Sequence, residues 1–162
     1  VIGKESALAA RIRRELRDIA RLIDRAESLA QRAKRLGESD ILDGAALNLH
    51  AYYAATERIF EDIAREIDGA LPSGGDWHRT LLLQMASALT DVRPAVIGEE
   101  SYRCLDEYRG FRHVVRNVYT YNLRPERIEA LVRDLRGCDA LLISDVEDFA
   151  RFLDASSEQS FQ

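Results

Sequence analysis

The stretch Leu8-Ala9-Ala10-Arg11-Ile12-Arg13-Arg14-Glu15-Leu16-Arg17-Asp18-Ile19-Ala20-Arg21-Leu22-Ile23-Asp24-Arg25-Ala26 decides the fold. Leu8, Ile12, Leu16, Ile19, Ile23, Ala26 and then Ala30 recur at three and four residues, while Arg, Asp and Glu fill the other faces. That period is the apolar stripe of an amphipathic helix, with opposite charges at helix-pairing distances around it. Ser6 is placed to cap its start and Gly37 to stop it after Leu36.

The same period continues outward. Ser39 or Asp40 is placed to cap a second helix over about 41–71, with Leu49, Tyr52, Tyr53, Ile59, Phe60, Ile63 and Ile67 inward and Gly44 weakening its first turn. Pro72-Ser73-Gly74-Gly75 reads as a loop, after which Asp76 caps a shorter helix from Trp77 to about Leu89. Residues 90–98, with Pro94, read as an extended connector, and a fourth helix is expected over about 99–119. Asn122-Leu123-Arg124-Pro125 breaks the chain, with Pro125 suited to the first turn of a fifth helix that runs to about Ala155 and bends or breaks at Gly137. Residues 156–162 read as a flexible polar tail.

The expected architecture is therefore all-α, an antiparallel bundle of four to five helices in one domain over residues 1–155. Composition agrees. The 162 residues include nine Gly and three Pro, too few breakpoints for many short strands. No apolar run approaches the ~18 residues of a membrane span, and Val1-Ile2-Gly3-Lys4 is too short for a signal sequence. Cys104 and Cys138 lack C-x-x-C spacing and read as reduced thiols of a cytoplasmic chain. Three scattered His and two distant Cys make no metal set, and no P-loop or dinucleotide fingerprint occurs, so no cofactor is expected.

A net charge of −5 argues against general affinity for nucleic-acid backbones. The fourth helix departs from that balance. No Asp or Glu occurs between Arg109 and Pro125, while Arg109, Arg112, Arg116 and Arg124 do. On a helical wheel Phe111, Val114, Val115 and Val118 share the core side, and Arg109, Arg112, Arg116 and Tyr119 share a second side. His113 and Asn117 lie one turn apart on a third. A phosphodiester would meet a locally positive surface there. Elsewhere, His78 beside Trp77 reads as a capping or packing residue, His50 as core or interface, and Glu57, Glu61 and Asp62 as a solvated face.

The string from Arg112 to Tyr119 reads Arg, four residues, Asn, one residue, Tyr. It resembles the Arg-x4-His-x-Tyr signature of the HEPN ribonucleases. With Phe111 before it and Thr120-Tyr121-Asn122 after it, and with Asp76-Trp77-His78 and Leu49-His50-Ala51-Tyr52-Tyr53, the chain is similar to the HepT-type toxins. The resemblance implies a homodimeric toxin of a toxin–antitoxin pair, a ribonuclease that cuts RNA at a dimer cleft without metal. It implies as partner a cognate minimal nucleotidyltransferase antitoxin, which silences the toxin by transferring AMP to the motif tyrosine. Carried over by position, Arg112 is the motif arginine and Tyr119 the motif tyrosine and AMPylation site, with Tyr121 as second choice.

Asn117 stands where the signature has histidine. An amide can hold a phosphate but cannot shuttle a proton near neutral pH. His113, one helical turn earlier, is the expected replacement, with His50 and His78, on helices that could reach the cleft, as the other candidates; Arg112, His113, Asn117 and Tyr119 form the expected catalytic set, with Arg109 and Arg116 binding RNA. The alternative is a non-catalytic HEPN adaptor that binds a nucleotidyltransferase or a nucleotide.

Overall fold

The computed structural model describes residues 3–117 and 123–160, the side chains of residues 116 and 117 excepted. Five α-helices make up the fold: α1 (Lys4–Leu36), α2 (Leu42–Ile63), α3 (Trp77–Met85), α4 (Glu99–Asn117) and α5 (Pro125–Gln159). Among the described residues the β-type pairing is a single bridge between Leu89 and Arg93. The expected all-α bundle is what forms.

The first stripe is buried as its spacing predicts, from Leu8, Ile12, Leu16 and Ile19 to Ile23 and Ala26. α1 starts two residues before Ser6, with Gly3 in the capping position and its carbonyl accepting from the Ala7 N–H at 3.0 Å. Gly37 ends the helix in the left-handed region at φ 66°, a backbone that glycine adopts without a Cβ clash. A short 3-10 turn over Ser39–Ile41 then reverses the chain into α2. Gly44 sits in the first turn of α2, where a Cβ would stand 3.1 Å from Leu29 Cδ1, so its small size lets α2 approach α1.

α1 and α5 run antiparallel along the bundle. Arg13 donates to Glu147 and Asp154, both at 2.8 Å, and Arg136 of α5 reaches Asp24 and Glu27 of α1. α4 is antiparallel to α5. Ser101 donates to Asp145 at 2.6 Å near one end, and the Tyr108 hydroxyl donates to the Leu131 carbonyl at 2.7 Å further along. No helix among the described residues is long and apolar enough to cross a membrane.

Several boundaries differ from the sequence expectation. α2 passes into a π-helical turn over Ala64–Asp68, closed by Gly69 at φ 66°. α3 ends at Met85, not near Leu89, because the Met85 carbonyl is taken by the Val96 and Ile97 N–H groups folding back. α5 passes through Gly137 unbroken, since Leu135, Cys138 and Leu142 are packed on either side of it. It also continues to Gln159, and Ser157 is buried against α1, so the segment read as tail is helical over its first four residues. Val114, expected in the core, is 42% exposed, whereas Phe111 is buried and Val115 half-buried.

The reading of Cys104 and Cys138 as separate thiols is overturned. They form a disulfide between α4 and α5, with Cα atoms 5.8 Å apart, inside the span such a bond bridges. Sequence spacing reports motif geometry along one segment and is silent on two helices that pack side by side.

The connector over 86–98 is tied down by Arg93. Its guanidinium is buried against Asp68 at 2.5 and 2.8 Å and also donates to the carbonyls of Ser87, Pro94 and Gln84. Gln84 adds a bond to Asp68 at 2.7 Å. One buried ion pair thus fixes the end of α2, the end of α3 and the approach to α4.

Candidate active site

Glu57 sits on α2 four residues after Tyr53 and three before Phe60, all on the buried side of the helix. It is 2% exposed, so its assignment to a solvated face is wrong. A lone carboxylate at that depth is costly unless paired. Its Oε2 lies 2.7 Å from His78 Nδ1, and its Oε1 lies 3.7 Å from an Arg112 terminal nitrogen. Glu61 and Asp62, by contrast, reach Arg65 at the surface.

His78 enters from the first turn of α3, delivered by the Pro72–Asp76 loop. Its imidazole is held on three sides. Trp77 stacks on one face, with centroids 3.8 Å apart and planes at 30°. One Arg112 terminal nitrogen lies 3.0 Å from Nδ1 and 3.1 Å from Nε2. A point equidistant from both in the ring plane would collide with the carbon between them, so the guanidinium lies over the ring. Two rings so close leave no room between them, so Arg112 takes the face opposite Trp77. Glu57 holds the Nδ1 edge. A carboxylate only accepts, so Nδ1 carries the hydrogen and Nε2 is the basic nitrogen.

Arg112 comes from α4, its side chain 17% exposed, and its buried Nε meets no acceptor among the described residues. Nearby, Tyr53 is fully buried and its hydroxyl also has no partner; burial, then the charge of Glu57, pushes that hydroxyl well above its ordinary range. Arg109 pairs with Asp106 at 2.7 Å. Arg109 and Arg112 border a cavity of about 620 Å³, walled by Gly74, Gly75, Asp76, Trp77 and His78 on one side and by Arg109, Arg112 and His113 on the other.

The structure thus brings Arg109, Arg112 and His113 of the expected set to one cavity. The expectation of an acid-free face is corrected in part: α4 carries no acid after Arg109, but Asp106 of the same helix pairs with Arg109, Asp76 walls the cavity, and α2 places Glu57 behind Arg112. His113 is exposed at the rim, and His50 is half-buried on α2. Tyr119 and Tyr121 lie outside the described residues, as do the side chains of Arg116 and Asn117. Among the described residues no three His, Cys, Asp or Glu side chains gather as ligands for a metal ion.

Sequence reasoning missed Glu57 and favoured a packing role for His78, keeping it only as a second candidate, with His50, for the missing proton shuttle. A signal was present for Glu57: it breaks an otherwise apolar stripe between Tyr53 and Phe60. An acid in that position needs a buried partner, and a single-helix wheel cannot name one.

A family model described as HepT-like protein matches residues 44–153. The chain belongs to the HepT-like family. It is accordingly a HEPN-domain protein, and the matched span takes in α2, α3, α4 and most of α5, hence Glu57, His78 and Arg112. No curated protein and no solved structure matches the chain. Within this HepT-like chain, Arg112 faces the cavity beside His78.

Proposed function

We propose that this HepT-like protein is the toxin of a toxin–antitoxin pair and cleaves RNA without metal, in the cytoplasm, as a homodimer. The observation that carries the reading is the position of Arg112. The motif arginine stands on the wall of an open polar cavity, with a buried Nε lacking an acceptor and with imidazoles beside it. A guanidinium there is suited to the phosphate oxygens of a scissile linkage, whose charge grows in the transition state. Arg109 and Arg116 support the neighbouring phosphates. Val114, an exposed apolar side chain on the same helix, is suited to contact with a second copy.

The cognate partner is a minimal nucleotidyltransferase that adds AMP to Tyr119, with Tyr121 as the nearby second acceptor. The phosphate of the transferred AMP is an anion that would compete with RNA for the arginines.

The reading is tested by incubating the purified chain with labelled single-stranded RNA in EDTA. Cleavage persists with chelator, and Arg112→Ala reduces its rate by about 10²- to 10³-fold, the loss typical of removing one donor to a developing anion. Co-expression with a cognate minimal nucleotidyltransferase restores growth and raises the mass of the Tyr119 peptide by whole AMP units. RNA binding without cleavage by the folded parent would instead favour the adaptor reading, which Asn117 in the histidine slot supports.

A further inference from the structure

We infer that His78 of α3 takes the 2′-hydroxyl proton during RNA cleavage, and that Glu57 of α2 is its positioning residue. This rests on the RNA-cleaving reading above and moves the proton transfer from the motif helix to two other elements.

Three observations carry it. The imidazole is clamped by Trp77 and Arg112 on its faces and by Glu57 at Nδ1, which fixes both its orientation and its tautomer and leaves Nε2 as the base. It borders the cavity that Arg112 also borders. Most telling is the division of partners around Glu57. Were the cluster only a buried ion pair, Arg112 would close on Glu57 as its best-matched partner. Instead His78 holds Glu57 at 2.7 Å, the nearest guanidinium nitrogen stands at 3.7 Å, and Arg112 Nε is left without an acceptor among the described residues. The arginine keeps donor capacity for another anion, while the carboxylate serves the histidine. Asn117 cannot take a proton at neutral pH, and His113 lies exposed at the cavity rim.

The step balances without a co-reactant. Nε2 removes the 2′-hydroxyl proton as the 2′ oxygen forms a bond to phosphorus. The bond from phosphorus to the 5′ oxygen breaks, and that oxygen takes a proton from water. His78 then returns its proton to solvent. The products are a 2′,3′-cyclic phosphate and a 5′-hydroxyl end.

The test compares the parent with His78→Ala, His78→Gln and Glu57→Gln on single-stranded RNA, with circular dichroism to confirm folding. Both His78 variants should lose about 10²- to 10⁴-fold in kcat, the range of general acid–base catalysis. Added imidazole should restore part of the rate to His78→Ala, through the space vacated, and none to Arg112→Ala. Glu57→Gln, which can present the wrong hydrogen-bonding group to Nδ1, should lower kcat with KM unchanged. The inference is overturned if the parent cuts RNA and His78→Gln cuts within about threefold of it, or if Glu57→Gln changes KM alone. A folded parent that cuts no RNA overturns the underlying reading itself, and the two failures are thereby distinguished.

Discussion

Asp139 shows how one residue carries a pH dependence into the core. It is 6% exposed on α5, and burial pushes its carboxyl up to about 6, against the smaller downward pulls of the Tyr52 hydroxyl and Arg136. Its Oδ1 and the Tyr52 hydroxyl both lack a partner of good hydrogen-bond geometry, so we read their approach as electrostatic rather than as a formed bond. Between about 3.8 and about 6 the carboxyl is neutral when folded and charged when unfolded. Its contribution is therefore complete below the lower value and is lost as pH rises through the upper. Asp139→Asn should stabilise the protein by roughly 1–2 kcal/mol at pH 8, a value discounted for partial solvation, and the gain should vanish near pH 4. Urea denaturation of both proteins at the two pH values checks this. Asp139 was invisible to sequence reading for the same reason as Glu57. An acid at a helix position facing inward is recognised only when the opposing helix is known. The arginines of α4 were legible because they share one segment with their motif, and the partner that α2 supplies was not.

At the scale of elements, local signals held where they concern one helix and failed where two must meet. Gly37 stops α1 and Pro125 opens α5 as their chemistry dictates. Gly137 does not interrupt α5, because the packing of Leu135 and Leu142 outweighs one glycine's cost in a helix. That glycine is exposed, and a Cβ on it would touch nothing within 4 Å. Gly137→Ala should therefore add about 0.5–1 kcal/mol, partly by restricting the unfolded chain. Thermal unfolding should show a midpoint a few degrees higher, as expected for a chain of this size. The end of α3 and the disulfide between α4 and α5 belong to the other kind: each depends on a contact made across the bundle.

Across the whole molecule, the site depends on three helices kept in register by a contact remote from the cavity. Arg93 and Asp68, with side chains 0% and 1% exposed, tie the end of α2 to the connector that leads into α4. Arg93→Ala leaves the Asp68 carboxylate buried without its cation. That change should cost about 3–5 kcal/mol, and replacing both residues by apolar ones of similar volume should cost less. A double-mutant cycle in denaturant measures the difference. Glu57, His78 and Arg112 come from α2, α3 and α4, and they converge only while this packing holds. The central claim is that their cavity is where RNA is cut. The most direct measurement is the rate of single-stranded RNA cleavage in EDTA by the folded parent, Arg112→Lys and Arg112→Ala. The account predicts cleavage by the parent, a loss of about 10²- to 10³-fold in Arg112→Ala, and an intermediate rate for Arg112→Lys, which keeps the charge without the fork. Cleavage by Arg112→Ala at the parental rate, or none by the folded parent, would contradict it.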